Sequence, residues 1–179
     1  MTHVHLFAHY DDEYCALPLI AALARAGRDQ RFVYVCDYAT PALAATRLAE
    51  TRALLATLGI APEAVIPAQC GVQDGALHTD PLAAWRAVRK IVAGLEGVSG
   101  LTVTAWEGGH ADHDLTAAMA VKLQGLLPAA PEIRQIALYH GRGTWGPAFR
   151  ACDPIPENGP VARVPLTAGQ WLSYAAAVR

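Results

Sequence analysis

Residues 2–13 read THVHLFAHYDDE, and residues 101–114 read LTVTAWEGGHADHD. Each stretch passes from a short β-branched and apolar run directly into a knot of His, Asp and Glu. The runs at 2–8 and 101–105 have the length and composition of strands. The knots fall where a strand ends and the next helix starts.

Working outward, a helix is predicted over 13–26, with Gly27 as its stop and Pro18 one turn inside, where it kinks or shifts the start. A second strand follows at 31–36 (RFVYVC). Thr40-Pro41 is a cap followed by proline at the first helical position, which predicts a helix over 41–58 ending at Gly59. A third strand is expected at 64–67, then a helix over 81–93 capped by Asp80. After the strand at 101–105 come a helix over 114–126 and a fifth strand at 133–139. This alternation predicts a Rossmann-like, three-layer α/β/α fold with a mostly parallel sheet. A helical bundle or a β-sandwich needs a different rhythm. Residues 141–166 are rich in Gly and Pro and read as loop, with a short strand at 161–164. Thr167-Ala-Gly-Gln170 has the form of a capping box opening a helix to Arg179. No cap or proline ends that helix, so the expectation is one domain over 1–179 that lacks a C-terminal element.

Hydrophobic residues make up 53% of the 179 and charged residues 17%, which supplies a core and argues against disorder. A formal charge of -2, with no basic run, leaves nothing to attract nucleic acid. Cys15, Cys36, Cys70 and Cys152 are scattered without a C-x-x-C pair, which favours a reduced compartment. No apolar run is long enough to span a membrane, and no leader pattern opens the chain. A cytoplasmic location is expected. Oligomeric state is not fixed by the sequence.

The chemistry gathers in the two knots. In a sheet of order 3-2-1-4-5 the first and fourth strands are neighbours, and ligands bind beyond their C-terminal ends, where the strand order reverses. A catalytic zinc takes three His, Asp or Glu ligands and keeps one position open for water. His9 and Asp12, in a His-x-x-Asp turn, supply two. His113 is the better third, because the positive end of the fourth helix favours its neutral, metal-binding form. Asp11, beside a ligand, is suited to be the general base. His110 is placed to steady an oxyanion, and Asp112 to orient a neighbouring histidine. Zinc is the first choice of metal, with iron(II) or another divalent ion as the alternative.

Ala8–Glu13 (AHYDDE) resembles the A-H-P-D-D-E motif of the LmbE-like, or PIG-L, de-N-acetylase family, and 108–114 (GGHADHD) resembles its later H-P-D-H motif. Arg47-Leu-Ala-Glu50, Leu58-Gly59 and Asp74-Gly75-Ala-Leu77 also match in order, so the likeness runs from Val4 to Leu123. The resemblance implies the same ligands, base and oxyanion donor. It further implies that Arg47 and Asp74 contact the substrate's sugar hydroxyls, and that the substrate is a small N-acylated, sugar-containing molecule losing an N-acetyl group. Tyr10 and Ala111 stand where the family usually has proline; neither position supplies a ligand.

Plainer readings stand beside these. Acids in a first helical turn favour the dipole without any metal. Glu13 is as well explained by that as by catalysis. His3 and His5 alternate along a strand and read as hydrogen-bonded core or edge residues, and His78 as a loop residue. His140 ends the fifth strand on the metal's edge of the sheet. Arg47 and Glu50 form a surface i,i+3 pair, and Asp74-Gly75 is a turn dipeptide. Two other classes stand as alternatives: a non-catalytic sugar- or partner-binding member of the same fold, and a nucleotide-binding protein. The latter lacks G-x-G-x-x-G after the first strand.

Overall fold

The computed structural model describes residues 1–177. Five strands form one parallel sheet: β1 (Thr2–Phe7), β2 (Asp29–Tyr34), β3 (Val65–Pro67), β4 (Val98–Thr104) and β5 (Glu132–Ile136). Their order is β3-β2-β1-β4-β5, as the alternation of elements predicts. Helices α1 (Leu17–Arg25), α2 (Pro41–Ala56), α3 (Pro81–Ala93) and α4 (Ala111–Gln124) complete the layers.

Every residue of β1 is buried, because a central strand of a parallel sheet is covered on both faces. Its side chains divide by period two. Val4 and Leu6 join Val33, Leu101 and Val103 in a cluster with Ala84, Val88 and Val92 of α3 and Ala117, Ala120 and Leu123 of α4. Phe7 enters the opposite cluster with Phe32, Tyr34, Ile20 of α1 and Leu55 of α2. His3 and His5 are core residues bonded to neighbouring strands. His3 Nε2 lies 2.7 Å from Thr102 Oγ1, and His5 Nε2 lies 2.8 Å from Gln30 Oε1. The His5 ring stacks on Phe32 with centroids 4.4 Å apart.

Several boundaries move for local reasons. The helix expected from residue 13 begins as a 3-10 turn, Asp12–Ala16, and becomes α-helical only at Leu17, with Pro18 in its first turn. Proline there removes an N–H that has no partner anyway. Gly27, at φ 66°, ends α1: its N–H donates to the Ala24 carbonyl and Arg28 N–H to that of Leu23, the left-handed stop that glycine permits. Thr40 Oγ1 accepts from Leu43 N–H, and Asp80 Oδ1 from Ala83 N–H, as expected of caps.

The fifth strand ends at Ile136 rather than 139, and Tyr139–His140 (β6) pairs antiparallel with Arg150–Ala151 (β7). No strand forms at 161–164. The capping box does form, with Gln170 N–H donating to Thr167 Oγ1 and Thr167 N–H to Gln170 Oε1, and opens α5 (Ala168–Ala177). The last two residues of that expected helix lie outside the described residues. No described helix is long and apolar enough to cross a membrane.

Candidate metal centre

The two knots meet at the C-terminal ends of β1 and β4. His9 and Asp12 follow β1 directly, and His110, Asp112 and His113 sit at the start of α4. The three imidazoles pack together, with centroids 4.9 Å apart for His9 and His110, 5.1 Å for His9 and His113, and 4.8 Å for His110 and His113.

Asp12 is buried. Its Oδ2 accepts the backbone N–H groups of Ala8 (2.9 Å) and His9 (3.0 Å), so the other oxygen is left to face inward. That Oδ1 lies 3.1 Å from His113 Nε2 and 3.9 Å from His9 Nδ1, and the two nitrogens are 3.2 Å apart. Four ligands arranged tetrahedrally at zinc bond lengths stand about 3.3 Å from one another. The donor triangle therefore fits a small divalent cation. These distances are also hydrogen-bond distances, which a proton can satisfy in the cation's place.

The far side of His9 is equally committed. Its Nε2 lies 3.1 Å from Asp112 Oδ2 and 3.2 Å from Asp74 Oδ1. Asp112 has no exposed surface and accepts Gly75 N–H at 2.7 Å and Leu77 N–H at 3.0 Å, with the Cys36 thiol at 3.4 Å. A carboxylate on the outer nitrogen fixes the ring and its tautomer, leaving Nδ1 as the lone-pair donor. Cys36 had no sequence signal; its role arises from a contact 76 residues distant.

The electrostatics show a site that calls for positive charge. Burial resists a charged His9, yet Asp12, Asp112 and Asp74 outweigh it and raise its pKa to about 9. Burial works against ionised Asp12 as well, and the His113 and His9 rings overcome it and hold the carboxyl below its usual range. Asp112 is lowered too, against its burial, by His9 and by the two backbone donors. His110 is the exception: burial, then its neighbours His113 and His9, keep it below the ordinary histidine value. It caps α4, its Nδ1 accepting Asp112 N–H at 3.2 Å. The remaining N–H of the neutral ring is then on Nε2. Gly109 makes this placement feasible, since a Cβ there would stand 2.8 Å from the Tyr139 carbonyl oxygen.

Asp11 sits at φ 117°, a backbone conformation that non-glycine residues rarely take. Its carboxylate reaches solvent. Crowding around it, reinforced by Asp12, raises its pKa, while His9 and Arg47 pull the other way. Asp74 is brought to the cluster, against His9. Arg47 is not: it lies exposed on α2, its guanidinium 3.2 Å from Glu50. His140 is buried and its ring is bonded away from the cluster, with Nε2 2.9 Å from the Asp153 carbonyl and Nδ1 accepting Arg142 N–H. Two carboxylates have roles that the sequence does not announce. Glu13 accepts Asp11 N–H at 3.0 Å, and Glu107 accepts Leu138 and Tyr139 N–H, holding the β6 hairpin beside the site.

Beside the donor triangle, two other sets among the described residues bring ligand atoms close enough to hold a metal ion: His9, His110 and His113, and His9, Asp74, His110 and Asp112. Fold and site together define a Rossmann-like α/β protein with a His–carboxylate cluster at the point where strand order reverses. Residues 4–123 match the family model PIG-L, GlcNAc-PI de-N-acetylase, and the chain belongs to that family. No curated protein matches it in sequence. Among solved structures, the chain is similar to N,N'-diacetylchitobiose deacetylase from Pyrococcus horikoshii complexed with its inhibitor MPG. That likeness has a TM-score of 0.55 and 19% identity over 70% of this chain, and spans only 49% of the Pyrococcus protein. The conserved protein TT1542 from Thermus thermophilus is similar over 99% of this chain and 76% of its own, with a TM-score of 0.57 and 18% identity. At these identities the structural likeness speaks for the fold.

Proposed function

We propose that the protein is a metal-dependent hydrolase that removes the N-acetyl group from a small, sugar-containing substrate. The observation that carries this reading is the donor triangle of His9 Nδ1, Asp12 Oδ1 and His113 Nε2, in which Asp12 Oδ2 and His9 Nε2 are already bonded elsewhere in the fold. Two histidines and one carboxylate are a donor set suited to zinc with a position left open, and iron(II) suits the same atoms. Family membership supports the de-N-acetylase chemistry and the N-acylated sugar as substrate class.

When bound, the cation supplies Lewis acidity, polarising the amide carbonyl and making water a nucleophile near neutral pH. Asp11 takes the proton of the attacking water. Burial raises its proton affinity in the metal-free chain, and a base gains when that affinity moves toward the working pH. His110 donates Nε2–H to the oxygen that becomes negative in the tetrahedral state. Asp11 then returns its proton to the departing amine nitrogen, and acetate and the free amine remain. Asp112 keeps His9 in its tautomer throughout. Asp74 and Arg47 are proposed as substrate contacts; the bond between Asp74 and His9 gives Asp74 a second duty, and Arg47 must leave Glu50 to serve.

A panel of N-acetylated sugars assayed for released acetate, with metal analysis of protein purified without chelator, tests the reading. Acetate release that depends on bound metal is expected. Metal-free protein that hydrolyses the panel equally well, or metal-loaded protein that hydrolyses none of it, contradicts it.

A further inference from the structure

We infer that Glu13 is the positioning residue that holds Asp11 in the backbone conformation from which its carboxylate acts; the inference rests on the reading of Asp11 as the base. Glu13 is 1% exposed. A carboxyl group buried among neutral partners is costly, and an apolar side chain of the same size would pack there without that cost. Its partners explain its presence. Oε2 accepts the Tyr34 hydroxyl at 2.9 Å and Asp11 N–H at 3.0 Å. Tyr34 lies on β2, a strand of the parallel sheet, so the scaffold fixes Glu13.

Asp11 needs such a hold. Its φ of 117° is strained for a side chain with a Cβ, and turning φ back to an ordinary value swings its N–H away from Glu13. On its other side, the Asp11 carbonyl accepts Tyr14 N–H at 3.1 Å. Among the described residues no hydrogen bond fixes the Asp11 carboxylate itself, so the direction of the base is inherited from its backbone. The line of support runs from β2 through Glu13 to Asp11. It never touches the three donor atoms of the triangle.

The test compares Glu13→Gln and Glu13→Leu with the parent protein, all carrying metal. Leu fills the space and accepts nothing; the Gln amide oxygen still accepts from Asp11 N–H. Glu13→Leu is expected to lower kcat about tenfold or more with KM and metal content unchanged, as for a misplaced catalytic group. It should also speed hydrogen–deuterium exchange of the Asp11 amide about tenfold or more, the mark of a lost native hydrogen bond. Glu13→Gln should recover both. If Glu13→Leu alone does not fold, the Glu13→Leu/Tyr34→Phe pair replaces both partners by apolar groups and carries the same readings. Unchanged exchange, or faster exchange with unchanged kcat, overturns the inference. A parent protein that releases no acetate defeats the hydrolase reading instead, and the exchange rates still decide whether Glu13 holds Asp11.

Discussion

The two oxygens of Asp12 have separate duties. One is saturated by backbone amides at the end of β1, and the other faces the two imidazoles. Asp11, one residue earlier, has no such ties and stays open to solvent. Adjacent identical side chains thereby suit different parts in the proposed reaction, Asp12 as a ligand and Asp11 as the base. Asp11→Asn is the right probe, because Asn tolerates positive φ as well as Asp does. It should retain metal and lose roughly 10²- to 10⁴-fold in kcat, the usual worth of a general base. His113→Ala should lose both metal and turnover. His110→Ala should keep the metal and lose about 10²- to 10³-fold in kcat, as for a single oxyanion donor. Metal content measured beside kcat separates these outcomes; full activity in Asp11→Asn would remove it as the base.

At the scale of elements, the strands and caps were readable because their signals are local. Thr40-Pro41, Asp80 and the β-branched runs act on their own neighbours. The end of β5 was not readable, since the backbone at Leu138 and Tyr139 answers to Glu107, 31 and 32 residues away in sequence. The same holds at the site. His9, Asp12, His113 and Asp112 were visible as dense polar knots at strand ends, whereas Glu13 and Cys36 take their meaning from distant partners. Arg47 and Asp74 were marked by resemblance alone. The first is held by Glu50, and the second leans on His9.

Strand β1 carries its own prediction. Burial, with Arg134 nearby, lowers His3 to about 4, and burial, with His3 nearby, lowers His5 to about 3. Below about pH 6.5 the unfolded chain protonates these rings while the folded chain does not. Each ring should therefore cost about 1.4 kcal/mol of stability per pH unit of descent. His9, raised to about 9, has the opposite sign: its contribution is complete below 6.5 and is lost as pH rises through 9 in the metal-free chain. It does not mask the slope between 6.5 and 5.5. Lower still, Asp11 and Glu13, both raised by burial, bind protons in the folded state and oppose the decline. Urea melts at pH 6.5 and 5.5 should show the fall, and His5→Phe should reduce it. A flat profile contradicts neutral buried rings.

For the whole molecule, the cluster joins chain segments 104 residues apart, linking the end of β1 to the start of α4. A cation held there binds the folded chain alone and stabilises it by mass action. At a hundredfold excess over Kd the gain is about 2.7 kcal/mol. A chain of this size shifts about 2–4 °C in Tm per kcal/mol. Adding EDTA to metal-loaded protein should thus lower Tm by several degrees, and the loss should vanish in His113→Ala. An unchanged Tm would mean that no cation links these segments.

The proposed site holds one cation, on the Nδ1 side of His9. Anomalous diffraction at the absorption edge of the bound metal, on crystals grown without chelator, locates it directly. The account predicts a single peak about 2.0–2.2 Å from His9 Nδ1, Asp12 Oδ1 and His113 Nε2. A peak on the opposite side of the ring, bonded to His9 Nε2, Asp74 and Asp112, would contradict it, as would no peak at all.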